Sequence, residues 1–177
     1  MLEIVANGFG VLSTLCFIAS FQIKSNKALY GCQAAGTFFY GVQFFLLGAT
    51  GGVINMFMQV VRNLLLLKRT SWTWLSSIWF PVAVCIPGFV VMVATWNSPL
   101  DLLPFIAYAG VTFAYWANSA KLIRISELGC ACPCWLVYDF ATGAYGGILT
   151  EFVIAGSVIA SIIRFGWKGL DDPEFAK

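Results

Sequence analysis

The chain has 177 residues, of which 60% are hydrophobic and 10% charged, with a mean hydropathy of +0.85; a soluble domain carries roughly a quarter charged residues. Such a composition cannot cover a water-facing surface with polar groups, and at roughly 20 apolar residues per helical crossing the length holds about seven spans, short loops and no soluble domain. The net charge of +2 matters less than its distribution. Histidine is absent, which removes the commonest general base, metal ligand and proton shuttle. No serine or cysteine nucleophile stands beside a base, and there is no glycine-rich phosphate loop. The sequence therefore points away from an enzyme, with no catalytic residue, no metal and no cofactor.

The predicted spans run, in chain order, over Glu3–Gln22, Tyr30–Leu47, Gly51–Leu67, Trp72–Thr95, Pro99–Asn118, Gly129–Tyr145 and Gly147–Phe165. No Lys or Arg precedes the first, and no small-residue cleavage site follows it. It is expected to be a retained helix rather than a removed signal. Glycine-rich or proline-bearing turns divide the others: Gly48-Ala49-Thr50-Gly51-Gly52, Trp96-Asn97-Ser98-Pro99 and Gly143-Ala144-Tyr145-Gly146-Gly147. Pro81 and Pro87 imply kinks in the fourth span.

All ten basic residues fall at one end of this arrangement. Lys24 and Lys27 follow span one, and Arg62, Lys68 and Arg69 end span three. Lys121 and Arg124 follow span five, and Arg164, Lys168 and Lys177 end or follow span seven. The opposite end holds Glu3, Asp101 and Glu151. The positive-inside rule makes the basic end cytoplasmic and the amino terminus periplasmic or extracellular. No basic cluster is dense or interleaved with aromatics, so nucleic acid is not an expected partner.

A weak internal repeat runs through the chain. A shift of 95 residues lays Val42, Phe45, Gly48, Gly51 and Gly52 on Val137, Phe140, Gly143, Gly146 and Gly147. A shift of 100 lays Gly10-Val11 on Gly110-Val111 and Ile23-Lys24 on Ile123-Arg124. The change of shift predicts a shorter cytoplasmic loop in the second copy. The expected fold is all-α and integral to the membrane: a single domain over 1–177 in a 3+1+3 parallel repeat. Three-helix bundles over 3–67 and 99–165 flank a linker helix over 72–95, and a short cytoplasmic tail covers 166–177. Parallel repeats of this kind are one plan of secondary transporters.

The 3+1+3 plan resembles the SWEET and PQ-loop carriers and the PnuC vitamin-precursor carriers in architecture. Phe21-Gln22-Ile23-Lys24-Ser25 is similar to the PQ-loop motif without its proline, and Lys121-Leu122-Ile123-Arg124 lacks both residues, so no substrate carries over. Gln43-Phe44-Phe45-Leu46-Leu47-Gly48, Leu102-Leu103-Pro104, Gly146-Gly147 followed by Glu151, and Ile162-Ile163-Arg164 resemble the YgjV family. That likeness spans nearly the whole chain and implies a bacterial inner-membrane protein without naming a solute.

Asp139 stands near the middle of the predicted sixth span, where a carboxylate costs on the order of 3 kcal/mol and ordinarily faces a cavity or a partner. Trp135, Tyr138 and Asp139 share one helix face, and the 95-residue shift sets Tyr40 and Gln43 opposite. Two such faces would form a mid-membrane pocket for a small polar solute; the plainer alternative is a hydrogen-bonded lock between helices. Asn55 and Gln59 form an i, i+4 pair that suits either solute contact or an interhelical bond. Tyr108, Thr112 and Tyr115 make an aromatic packing stripe. Glu151 suits capping by the helix dipole or, with Asp139, proton or cation coupling. Arg62 and Arg164 are expected to snorkel to the cytoplasmic interface, with a gate on that side as the alternative. Cys130, Cys132 and Cys134, placed at the cytoplasmic start of span six, lack zinc-like spacing and are expected to pack.

These features together predict a small-solute transporter or facilitator for a sugar-, vitamin- or metabolite-like molecule, working by alternating access. The rival is a non-transporting scaffold or partner subunit. The expected partners are the lipid bilayer and the solute, with homo-oligomer formation left open.

Overall fold

The computed structural model describes residues 2–48, 50–142 and 145–176. Its helices are α1 (Leu2–Phe21), α2 (Asn26–Leu46), α3 (Thr50–Leu67), α4 (Trp79–Ala94), α5 (Leu102–Ala117), α6 (Ala120–Ser126), α7 (Cys132–Thr142) and α8 (Tyr145–Phe165). A π-helical turn, Glu127–Ala131, joins α6 to α7 without a break, so eight helices make seven crossings. Three segments, Leu2–Phe21, Pro99–Ala117 and Gly147–Phe165, are by themselves long and apolar enough to cross a membrane. The fold is that of an all-α membrane protein of seven helical spans.

Local chemistry sets the boundaries. The Ser25 hydroxyl accepts from the Ala28 N–H and opens α2, and Ser119 does the same for α6 through Leu122. Ahead of α5, the Asp101 carboxylate accepts from the backbone N–H groups of Asn97 (2.7 Å) and Ser98 (2.8 Å). Ser98 returns a bond to the Leu100 N–H, which completes a capping box. α5 ends at Asn118, whose φ of 55° is left-handed, a conformation asparagine tolerates better than most residues. Pro133 has no N–H to give, and its ring would strike the carbonyl one turn back. The chain widens just before it, and the Cys132 N–H reaches the Glu127 carbonyl five residues away.

The sixth span therefore begins at Ala120 rather than at Gly129, and ends at Thr142 rather than Tyr145. Lys121 and Arg124 gave this stretch the look of a loop; Ser119 caps it as a helix instead. Two consequences follow for the sequence expectations. Cys130, Cys132 and Cys134 lie at mid-span, not at its cytoplasmic start. Asp139 lies in the last turn, not at the middle. The fourth span is shorter than Trp72–Thr95, with a separate 3-10 turn at Thr73–Ser76. Pro81 falls in its first turn, where the missing N–H costs nothing, so only Pro87 is interior. Gly143, Ala144 and Lys177 lie outside the described residues.

Large apolar residues face outward, and buried polar residues sit at the seams of an otherwise apolar core. Ile4, Phe45, Phe57, Phe140, Leu149 and Ile163 are exposed, whereas Ser13, Ser20, Asn26, Thr37, Asn63, Thr112 and Ser161 are buried. Small and hydroxylated residues at helix seams with large apolar residues facing outward suit hydrocarbon as the solvent. α2 packs between α1 and α3, and α7 packs between α5 and α8. The two groups meet along α1–α8 and along α3–α5. Exchanging the groups turns one of these seams into the other. The connection at the basic end has four residues, 22–25, in the first group and two, 118–119, in the second, in the direction the change of shift predicts. Close approach needs glycine: a Cβ at Gly36 would lie 2.9 Å from a Phe17 ring carbon.

Residues after α8 fold back across the basic end. Leu170 and Phe175 are buried there. Lys24 pairs with Asp172 (2.8 Å) and Glu174 (2.9 Å), and Lys121 pairs with Asp171. The α1–α2 connection, the start of span six and the tail thus share one end of the bundle. Asp172, then Glu174, raises the Lys24 ammonium to about 12. The lysine is therefore fully charged at neutral pH, and its side of the pairing is lost as pH climbs through that value.

The two N–H groups on Asp101 hold its carboxyl below the ordinary value of 3.8. Its contribution is present above that value and disappears as pH falls through the lowered one. The wild-type protein should melt above an Asp101→Ala variant by a constant margin near neutrality. That margin should shrink to nothing at strongly acidic pH when both are followed by thermal unfolding in detergent.

Candidate functional site

Two groups of ionisable side chains lie inside the bundle, one toward each end. In the half nearer the amino terminus, Asp139 is buried on α7. Its carboxylate occupies the space over Gly147 of α8 that any Cβ would need. Tyr40, on α2, lies within electrostatic range of Asp139 and of Glu151 on α8. Glu151 stands six residues into α8, past the first turn, so capping does not account for it, and its buried Oε2 has no hydrogen-bond partner. Its carbonyl faces the Cys132 thiol at 4.0 Å. Glu151 is also in range of Glu127 in the π-helical turn, which carries the series toward the middle of the bundle.

Nearer the basic end the series meets Arg62 of α3, and the expectation that Arg62 snorkels outward fails. It is 2% exposed and reaches inward. Its Nη1 donates to Thr112 Oγ1 (3.0 Å) and its Nε to Asn63 Oδ1 (3.1 Å). The guanidinium carbon lies 4.9 Å from the Tyr115 ring centre and 5.4 Å from that of Tyr108, within cation–π distance. Glu127 is within electrostatic range, yet among the described residues no carboxylate pairs with Arg62 at salt-bridge distance. The stripe of Tyr108, Thr112 and Tyr115 is thus the wall that holds this cation.

Arg124 makes the contrast. It too is buried, at 0% exposure, inside a helix rather than in a loop. Nε donates to Ser161 Oγ (2.8 Å), Nη1 to the Ala120 carbonyl (3.1 Å) and Nη2 to the Phe21 carbonyl at the end of α1 (2.9 Å). The Phe165 and Phe175 rings flank it. Each of its three nitrogens has a partner, and the residue locks α1, α6 and α8 together. Arg164, by contrast, is exposed, as snorkelling requires.

The remaining candidates separate. Asn55 and Gln59 satisfy one another, Nε2 to Oδ1 at 2.8 Å. Gln43 packs over Gly10, 2.5 Å from a Cβ built there, and its buried Oε1 has no partner. Trp135 packs against the main core, edge-on to Tyr138 at 6.0 Å between ring centres. The structure brings together Tyr40, Asp139 and Glu151. Glu127 and Asn118 carried no site expectation, and Arg62 carried only the alternative of a gate at the basic end. For Glu127 the only signal was a carboxylate eight residues beyond a serine cap, which needs the true start of span six to be read.

Two cavities open at the basic end and border neither Trp135 nor Asp139. One of about 30 Å³ is lined by Lys27, Tyr30, Leu66, Leu67, Arg69, Thr70 and Asn118, with room for a water molecule. The other, about 190 Å³, runs between Asn118–Ala120 and the folded-back tail.

Seven apolar crossings enclosing ionisable groups define a multi-pass helical membrane protein. The model of the Imp-YgjV family, bacterial inner membrane protein, matches residues 4–168, and the chain belongs to that family. It is similar to the inner membrane protein YgjV of Escherichia coli strain K12, with 27% identity over 166 residues, 93% of this chain and 85% of the relative. No solved structure matches. The YgjV likeness read from the sequence holds, and the protein is a bacterial inner-membrane protein.

Gly147→Ala should force Asp139 out of its place and cost about 1–3 kcal/mol, the scale of overpacking. Adding Asp139→Ala should return part of that loss. A double-mutant cycle by thermal unfolding should show coupling of about 0.5–3 kcal/mol; independent effects would mean that the carboxylate does not rest on the glycine.

Proposed function

We propose that the protein is a carrier or facilitator for a small polar solute, not an enzyme, and that the solute passes between two similarly oriented three-helix groups, α1–α3 and α5–α8, with α4 as the connector. The carrying observation is the series of ionisable side chains inside the bundle: Asp139, Glu151, Glu127 and Arg62 lie in or beside the interior of apolar helices. Charged groups within a membrane are expensive and ordinarily mark a pathway or a relay. α2 of one group meets the other at both ends of the series, through Tyr40 beside Asp139 and Glu151 and through Tyr30, whose hydroxyl bonds Asn118 Oδ1 at 2.8 Å.

In this reading Tyr40, Gln43 and Asp139 contact the solute from one side of the membrane, with Trp135 and Tyr138 supporting that wall. Asp139 and Glu151 couple movement to protons or cations. The amino terminus is outside and the folded-back tail is cytoplasmic, because the basic residues collect at the tail's end. A reporter that is active only in the cytoplasm should work when fused after residue 177 and fail when inserted at Asn97.

The runner-up is a non-transporting scaffold or partner subunit. It draws on the closed Asn55–Gln59 pair and on the position of the two cavities, away from Trp135 and Asp139.

The deciding experiment is uptake into liposomes bearing purified protein, screened over polar metabolites. Wild-type uptake should rise as the outer pH is lowered. Asp139→Asn should flatten that dependence, and Trp135→Ala should weaken solute binding about tenfold, the value of an aromatic contact. A protein that moves no solute in the screen supports the scaffold reading.

A further inference from the structure

The basic end carries more positive charge than topology requires, and two of its guanidinium groups are not placed as topology would place them. Lysines and arginines that only orient a membrane protein lie in the headgroup region with their charged ends in water. Arg62 is withdrawn into the bundle and held by neutral partners. Arg69, in the turn just beyond α3, keeps its Nη1 buried without a hydrogen-bond partner. Burying a charged donor unpaired is costly, and the unpaired Arg69 donor, with Arg62 nearby balanced only by neutral partners, suits something anionic in this region.

Both arginines lie within electrostatic range of Tyr30. Tyr30, Lys27, Arg69, Thr70 and Asn118 line the smaller cavity. No acidic residue lines it. The Tyr30 hydroxyl is fixed by the Tyr115 carbonyl (2.9 Å) and by Asn118 Oδ1 (2.8 Å), while Asn26 Nδ2 holds the Asn118 carbonyl (2.8 Å). The rear wall is therefore rigid, and it spans α2 of one three-helix group and the end of α5 of the other. A cleft with cations on one side and an inter-group hydrogen-bond knot on the other suits an oxyanion, since guanidinium groups match the planar oxygens of carboxylate and phosphate.

We propose that this cleft, framed by Lys27, Tyr30 and Arg69 with Arg62 behind it, binds the anionic group, carboxylate or phosphate, of a small molecule. The proposal builds on the carrier reading: the solute is an anion, and it meets the protein at the basic end. A phospholipid headgroup presents the same phosphate chemistry, so the source of the anion has to be separated by experiment.

The test uses the full chain in phosphatidylcholine nanodiscs, titrated with inorganic phosphate and, separately, with succinate, against potassium chloride at matched ionic strength. Phosphate or succinate should raise the melting temperature, and the chloride control should not. Arg69→Gln, outside the helical core, should weaken the response at least tenfold, and Arg69→Lys should keep part of it. Lys168→Gln, an exposed cation away from the cleft, should leave it intact. A response confined to nanodiscs containing phosphatidylglycerol, with the same Arg69 dependence, upholds the anion site and assigns it to lipid. No response to any of these, or an equal response in Arg69→Gln, overturns the proposal. Phosphate binding without uptake of any solute would retire the carrier and leave the site. Uptake of an uncharged solute, unaffected by Arg69→Gln, would retire the site and leave the carrier.

Discussion

Inside hydrocarbon a hydrogen-bonding group has only other protein groups to turn to, and that constraint organises this bundle. The seams between the helices are made by polar side chains reaching across. Gln22 Nε2 donates to the Ser157 carbonyl (2.9 Å), and Ser157 Oγ donates to the Ile18 carbonyl (3.0 Å), closing α1 on α8. Asn26 and Tyr30 grip Asn118 and close α2 on the end of α5. Gln33 reaches Ser20 (2.9 Å) and ties α2 to α1. Such bonds contribute about 0.6 kcal/mol each, so their value is more in fixing register than in strength. The exposed phenylalanines and isoleucines hold nothing together in lipid; they only permit the bundle to stay there.

The same constraint separates the buried ionisable groups by how fully each is partnered. Arg124 is fully buried and fully partnered: removing it would take the donor from the Phe21 carbonyl and untie Ser161 of α8 from α6. Its placement is explained by three helices it joins. Arg62 is equally withdrawn, but its partners are two neutral side chains and two aromatic rings. Glu151 has a buried oxygen with no partner at all. Packing leaves the Glu151 carboxylate incompletely satisfied, and Arg62 reaches from α3 to α5 across the seam between the two three-helix groups.

Much of this was legible in the sequence, and the failures have a common cause. The seven spans followed from composition and turn glycines, and the gathering of basic residues at one end followed from counting. The i, i+4 spacing of Asn55 and Gln59 was read as solute contact or an interhelical bond, whereas the two amides bond each other within α3. The start of span six did not, because Lys121 and Arg124 look like loop residues to any reading of hydropathy. What turns Arg124 into a core residue is Ser161, 37 positions away, and the end of α1, 103 positions away. Neither is visible along the chain. Moving that boundary by nine residues displaced everything on the helix: the cysteines moved to mid-span, and Asp139 moved from mid-span to its last turn. The burial of Asp139 was legible from its chemistry alone, whereas its depth was not.

The π-helical turn ties these observations to motion. Pro133 makes a regular α-helix impossible at that point, and the chain answers with one wide turn that ends at Ala131. Because the turn adds a residue to the ladder, Glu127 and the residues before it are rotated relative to Trp135, Tyr138 and Asp139 beyond it. A straight helix would not present Glu127 to Arg62 and Tyr115 and also keep Asp139 against Gly147. The turn also leaves the weakest part of the span between the two clusters of ionisable groups, with Gly129 inside it and Gly110 of α5 close enough that a Cβ there would meet the Cys130 sulfur at 2.7 Å. A kinked helix with close glycine contact on one neighbour can change its bend without breaking a seam. Any movement that exposes the acids at one end while closing the arginines at the other would therefore pivot at this turn, and Arg124 would hold the half of the helix nearer the basic end still while it does.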